Sequence, residues 1–364
     1  YMLYYVFQHR HLSTPTWAQA QYWQSLKWVF TGGYVTQFMV NLQACIKFLF
    51  LPLLFNFIRN KDWNVEQIRA ILLTTVHYFV LTNIPFLFFG FKGISHGHDY
   101  GTYVAYSGIF QNQHAMSVIM AICMIVILSY MQKRYIVGRW NKMYNVFLMC
   151  VAAYAMYLGF ARTGWLMCLL AVIVVFWPKD MTVRQWIAMA TVGVVLMGSL
   201  SYLMATDTLF YDRVVGNNIT THEHMNVTSG RTEYTAAALE RFVNGNPTEW
   251  IMGVSTENIY DAIFLKTGMR VGAHNGFVDM LTRNGIVGLG LMLVFLVSLL
   301  LFIRKRNQCD SYRMALAMWV MMLSFQITQG GVMFHTDLLY ALVLCLLEKE
   351  YGLLTDKQTQ DVAI

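Results

Sequence analysis

Apolar stretches long enough to cross a bilayer recur along the chain, separated by short polar linkers. A spanning helix needs about 20 mostly apolar residues, and candidates lie at 34–57, 67–90, 114–131, 144–160, 163–178, 185–204, 286–303, 314–330 and 335–347. The last is short enough to be re-entrant. Residues 17–33 carry Trp17, Tyr22, Trp23 and Trp28, a pattern suited to the headgroup layer, where indole and phenol rings keep one wet edge. The pattern predicts an all-α polytopic membrane protein of about nine or more transmembrane helices.

One connection breaks the rhythm. Residues 205–285 form a long polar interval without cysteine. Its pattern is helical in part: Tyr234, Ala238, Leu239 and Phe242 recur at helical spacing within Thr232–Val243. Thr228 or Ser229 can cap that helix, and Asn244-Gly245-Asn246-Pro247 stops it. A second helix is expected from about Gly276 into the span at 286–303. Three units follow: an N-terminal bundle over 1–204, a loop domain over 205–285, and C-terminal helices with a tail over 286–364.

Composition agrees with this reading. Charged residues make up 12% and mean hydropathy is +0.45, against about 25% charged residues in a soluble domain. A cytosolic enzyme, a nucleic-acid reader and a disordered scaffold are excluded. Charge placement sets the orientation, because short cytoplasmic linkers hold an excess of lysine and arginine. Arg59 and Lys61, then Lys133, Arg134, Arg139 and Lys142, then Lys179 and Arg184, then Arg304, Lys305, Arg306 and Arg313 fall in alternate linkers. The short linkers between them, 91–113, 161–162 and 331–334, hold only Lys92 and Arg162. The long loop therefore lies outside. The chain opens Tyr1-Met2-Leu3 on an apolar fragment, which points to preceding segments.

Few residues can carry chemistry. Arg162, in Phe160-Ala161-Arg162-Thr163-Gly164-Trp165-Leu166, stands at an outer span end. It is either a snorkelling anchor or a clamp whose planar donors match phosphate oxygens. Arg231 opens the loop helix, where an anion would meet both a guanidinium and free backbone N–H groups; the competing reading is a surface arginine near Glu233. His274 can exchange a proton near neutral pH, as a base on a sugar hydroxyl or as an ordinary loop histidine. Asn275 either orients that ring or a sugar hydroxyl, or caps a helix. Arg213 and Arg270 add positive charge to the loop. Asp99, Asn112 and His114 sit in or beside the outer linker 91–113, within reach of substrate or as caps. His222-Glu223-His224 and His96-Gly97-His98-Asp99 lack the separation of a helical zinc pair. The run Gly285–Gly290 suits close helix packing.

In combination these motifs resemble the bacterial O-antigen ligase and polymerase superfamily. Phe160–Leu166, Ser229-Gly230-Arg231, Ala273–Asp279 and Asn284–Gly288 carry the resemblance over about 145–305, with a looser likeness at Gly108–Asn112. The family implies a GT-C-like membrane glycosyltransferase, inverting and independent of metal or other cofactor. It would move a glycan from undecaprenyl pyrophosphate to an acceptor hydroxyl, on a lipid-linked repeat unit or lipid A-core, at the periplasmic face of the bacterial inner membrane. By motif, Arg162 and Arg231 would hold the pyrophosphate and His274 would activate the acceptor. Asn275, Arg270, Arg213 and Asn112 would contact substrate. The ligase pattern of arginine, three residues and leucine is met by Arg162 and Leu166. The second pattern fits at His274, Asn275, Gly285 and Gly288, but Leu289 and Gly290 replace its two threonines. That departure favours a repeat-unit polymerase over a ligase. A lipid or anionic-solute transporter is the competing class; no internal repeat supports it.

Overall fold

The computed structural model describes residues 49–88, 106–110, 113–159, 161–177, 231–254, 256–330 and 334–362, and every regular element within them is helical. In order these are α1 (Leu49–Arg59), α2 (Val65–Leu81), α3 (Ile84–Phe88), α4 (Gln113–Gln132), α5 (Arg139–Gly159), α6 (Arg162–Phe176), α7 (Arg231–Val243), α8 (Pro247–Met252), α9 (Thr256–Thr267), α10 (Gly276–Arg304), α11 (Tyr312–Thr328) and α12 (Phe334–Val362). The expected interfacial stretch 17–33, the span at 185–204 and much of the span at 34–57 lie outside the described residues, as does the loop from 205 to 230.

Among the described residues, Val65–Leu87, Gln113–Gln132 and Gly276–Arg304 are long and apolar enough to cross a membrane. The other described spans coincide with helices whose ends differ from the hydropathy pattern. Helix α5 starts at Arg139, so its first turn is polar, with Asn141 and Lys142. The short stretch 335–347 lies within a 29-residue helix that continues to Val362. Apolarity ends near Leu347, but backbone hydrogen bonding does not depend on it. Helix α2 opens with a reciprocal cap, in which Asn64 accepts from the Gln67 amide and Gln67 accepts from the Asn64 amide.

Helix α4 is central. Met116, Ile119, Met120, Ile122, Ile125 and Ile127 are fully buried around its circumference, with α2, α5 and α6 against it. Helix α10 is peripheral and keeps Ile286, Val294, Val297 and Leu301 exposed, as expected where the surrounding solvent is hydrocarbon. Apolar burial cannot drive helices together in lipid, so close packing of small residues does. Gly164 of α6 shows this: a Cβ there would stand 2.5 Å from the Ser117 Cβ of α4. The contact sets α6 directly on the central helix.

Among the described residues, the basic linkers meet at one end of the bundle. Lys133 pairs with Asp310 at 2.6 Å, and Tyr135 donates to the same carboxylate. Arg69 pairs with Glu350 at 2.7 Å, and Glu350 also accepts from the amide and hydroxyl of Ser311. Arg306 pairs with Glu348 and lies over the Phe302 ring.

At the other end, α7, α8 and α9 build a second, smaller core. Tyr234, Ala238, Phe242, Val254, Ile259 and Ile263 pack together, with Val278 and Leu281 of α10 against them. Helix α10 runs through the expected boundary at 285 but kinks there, with Gly285 at φ 67° and ψ −170°. The segment Ile251–Gly253 fits into that kink. A Cβ on Gly285 would come within 2.2 Å of the Ile251 carbonyl oxygen. The Val254 amide donates to the Thr282 carbonyl at 2.7 Å, an acceptor that the kink releases from the helix ladder.

Candidate functional site

A cleft of about 630 Å³ opens between this outer unit and the bundle. It is lined by His114, Arg162, Thr163, Leu166, Arg231 and His274 together with neighbours from α7, α10 and α11. It lies at the end of α4, α6 and α11 opposite the Lys133–Asp310 pair.

The lining residues share a position in their helices. His114 is the second residue of α4; Arg162 and Thr163 open α6; Arg231 and Thr232 open α7; Asn275 caps α10. Four helix N-termini therefore face one space. Each brings the partial positive charge of its helix end. The cap of α6 is Ala161, which supplies no side-chain acceptor. With two guanidinium groups added, the cleft is built to take an anion.

Arg231 is held by the bundle, its Nη1 donating to the Thr328 carbonyl at 2.6 Å. That carbonyl belongs to the last turn of α11, where helix C-termini leave acceptors unpaired. Arg162 is placed by the Gly164–Ser117 contact two residues on.

His274 sits in a loop with φ 53°, in the left-handed region. Neighbours from three helices hold that loop. Thr235 of α7 donates to the Ala273 carbonyl at 3.1 Å. Asp279 of α10 accepts from the Ala273 amide at 3.2 Å while paired with Arg283 at 3.0 Å. Gly330, just after α11, stands against the start of α10, where a Cβ on it would lie 2.8 Å from the Gly276 Cα, and the Tyr234 ring lies 6.0 Å from the imidazole, centre to centre. Burial, then the charge of Arg231, holds the imidazole below its ordinary pKa; Asp279 and Gln329 act against that shift, and Arg283 adds to it. The ring is therefore neutral at pH 7, with one nitrogen able to accept a proton.

The sequence-derived candidates divide. Arg162, Arg231, His274 and Asn275 line the same cleft. The Asn275 side-chain oxygen accepts from the amides of Phe277 and Val278, so it caps α10. Arg270 is not brought there: it follows α9 and pairs with Asp261 at 3.1 Å. Arg213 and Asn112 lie outside the described residues, as do Asp99 and both histidine-rich clusters.

Sequence reasoning gave no weight to Thr163, Thr232 or Gln329. The two threonines had a signal, since the dipeptide Arg-Thr occurs at Arg162-Thr163 and again at Arg231-Thr232. Gln329 had none, being one polar residue at the end of an apolar run.

Residues 146–293 match the family model described as O-antigen ligase. The match runs from α5 to the middle of α10, and includes Arg162, Arg231 and His274. A comparison with curated proteins returned no match.

Proposed function

We propose that this chain, whose residues 146–293 match the O-antigen ligase family model, is an inverting glycosyltransferase that extends a glycan by repeat units carried on undecaprenyl pyrophosphate. The observation that carries this reading is the convergence of two arginines, four helix N-termini and one neutral histidine on a single cleft.

The chemistry follows from that arrangement. The acceptor sugar hydroxyl attacks the anomeric carbon of the donor. As the new C–O bond forms, the bond from that carbon to the phosphate oxygen breaks, and its electron pair leaves with undecaprenyl pyrophosphate. The proton of the hydroxyl goes to His274. Negative charge grows on the departing oxygen, where the guanidinium groups of Arg162 and Arg231 stabilise it, with the positive ends of α6 and α7 behind them. Such donors are worth more than water because they are already oriented. Attack from the face opposite the bound pyrophosphate inverts the anomeric centre. The apolar helices supply a surface for the polyprenyl tail, and the outer unit of α7, α8 and α9 a roof over the acceptor.

The energy comes with the donor, so the site needs no nucleotide. Transfer of a finished polymer to lipid A-core is the second reading, favoured by the family description itself. The first is favoured by Leu289 and Gly290, which stand where the ligase pattern has threonines.

The test uses the purified chain with a synthetic undecaprenyl-pyrophosphate-linked repeat unit. Products lengthened by whole repeats support polymerisation. Product formed only when lipid A-core is added supports ligation. Movement of the lipid across a bilayer with no new glycosidic bond overturns both.

A further inference from the structure

Helix α5 carries a face that the cleft does not use. Its inward side holds Asn145, Leu148 and Ala152, all buried. Nε2 of His77 on α2 lies 2.9 Å from the Asn145 side-chain oxygen, and Asn145 Nδ2 donates to the Asn141 carbonyl at 2.9 Å. That pair fixes the rotation of α5 about its axis. At about 3.6 residues per turn, Arg139, Lys142, Met143, Val146 and Phe147 fall on the opposite side. A groove of about 690 Å³ lies there, lined among the described residues by these five and Gly138.

The groove changes chemistry along the helix axis. Arg139 and Lys142, in the first turn, are exposed, and that turn has no acidic residue. Met143, Val146 and Phe147 follow, each about half exposed. Trp140 beside them is 79% exposed, as suits an indole at the headgroup layer. Other cations at this end of the bundle have carboxylates: Lys133 has Asp310, Arg69 has Glu350 and Arg306 has Glu348. Among the described residues, Arg139 and Lys142 have none. Chain orientation calls for basic residues in the linker, but not for two of them one turn apart above an apolar groove. The helix does not call for them either, since its N-terminal end is already positive.

We propose that this groove binds an anionic phospholipid, with its phosphate between Arg139 and Lys142 and an acyl chain along Met143, Val146 and Phe147. The order of the groove is the order of such a molecule, charge at the water and hydrocarbon below it. A soluble phosphate would satisfy the two cations and leave the apolar part unfilled. A zwitterionic lipid would fill the apolar part and bring its own positive charge to the cations. The groove and the cleft lie at opposite ends of the bundle, so the lipid site is separate from the transfer site and does not depend on the function proposed above.

The experiment titrates the purified, delipidated full chain in nonionic detergent with dioleoyl phosphatidylglycerol, with dioleoyl phosphatidylcholine, and with glycerol phosphate as an anion without chains. Native mass spectrometry counts bound lipid, and thermal unfolding is followed beside it. Phosphatidylglycerol should bind more tightly than phosphatidylcholine, and glycerol phosphate should not displace it. Each basic residue beside an anionic lipid is worth about 5-fold in affinity. Arg139→Gln combined with Lys142→Gln should therefore lower phosphatidylglycerol binding about 25-fold and leave phosphatidylcholine binding alone. Arg139→Lys with Lys142→Arg keeps both charges and should keep most of the affinity. Arg304→Gln, at the same end but outside the groove, should change nothing.

Both side chains are exposed and unpaired, so the double glutamine variant should unfold at the wild-type temperature without lipid. Phosphatidylglycerol should then stabilise the wild type alone. Should the variant unfold earlier, the comparison of the two lipids on the wild-type chain still decides. Equal affinity for the two lipids overturns the proposal, as does unchanged phosphatidylglycerol binding in the double variant. An equal loss in Arg304→Gln overturns it by reducing the effect to net charge. Displacement by glycerol phosphate overturns it in favour of a soluble anion. A dimer that forms without lipid and is broken by the double variant overturns it in favour of an interface between copies.

Discussion

The guanidinium of Arg231, the first residue of α7, donates to the carbonyl of Thr328, in the last turn of α11, at 2.6 Å. One residue thus ties the outer unit to the bundle and lines the cleft between them. Any ligand that draws on Arg231 also acts on that tie.

Replacement of the arginines by lysine should separate charge from geometry. Arg162→Lys keeps the positive charge and loses the planar fork. Binding of undecaprenyl pyrophosphate is expected to weaken about 10-fold, the loss of one charge-assisted hydrogen bond of about 1.5 kcal/mol. Arg231→Lys should weaken it further, since the Thr328 carbonyl also loses its partner. Direct titration of both variants with the lipid checks this; unchanged affinity in both would remove the pyrophosphate clamp.

His274→Ala should lower the transfer rate by about 10²- to 10⁴-fold, the range for a lost general base, while lipid binding stays intact. Single-turnover transfer measured beside binding distinguishes the two.

The acid limb of kcat/KM should fall below the ordinary histidine value, because burial and Arg231 favour the neutral ring. Activity is then full at pH 7 and declines only as acid protonates His274. Stability follows the same sign. The unfolded ring binds a proton more readily than the folded one, so this contribution is present above the unfolded pKa and declines as pH falls below it. A pH–rate profile whose acid limb lies above the ordinary value would contradict the assignment.

Gly285→Ala should destabilise the outer unit. The position combines φ 67° with ψ −170°, a region nearly restricted to glycine, at a cost of about 1–3 kcal/mol for another residue. The added methyl would also meet the Ile251 carbonyl oxygen at 2.2 Å. A lower temperature of thermal inactivation, with cleft residues unaltered, is the expected result.

Glu350→Ala probes the opposite end. It removes the partner of Arg69 and the acceptor of the Ser311 amide and hydroxyl. Breaking a buried pair on one side costs about 3–5 kcal/mol, so thermal stability should drop. Lipid binding measured at low temperature should be preserved, because the pair lies at the far end of the bundle from the cleft.

The helices were legible where hydropathy and helix geometry speak together. The expected helix at Thr232–Val243 is Arg231–Val243 in the structure, and the expected helix from Gly276 is α10. The kink at Gly285 was not legible: the glycine run reads equally as a packing surface, and only the insertion of Ile251–Gly253 selects the bend. Arg270 shows the limit from the other side. Its charge and outer location suit a phosphate, yet Asp261 on α9 takes it. Gln329 and His114 carried no motif, because their pairing spans more than two hundred residues of sequence.

By itself the sequence determined where apolar stretches alternate with basic linkers, and which few side chains have suitable chemistry. These are properties of each residue and its near neighbours: transfer to hydrocarbon, helical periodicity, the proton affinity of an imidazole. Only the tertiary structure decided that the first turns of α4, α6, α7 and α10 surround one cleft, and that Gln329 meets His114 and Thr163 there. That convergence depends on how closely helices approach at Gly164, Gly285 and Gly330, which is settled by packing between distant segments.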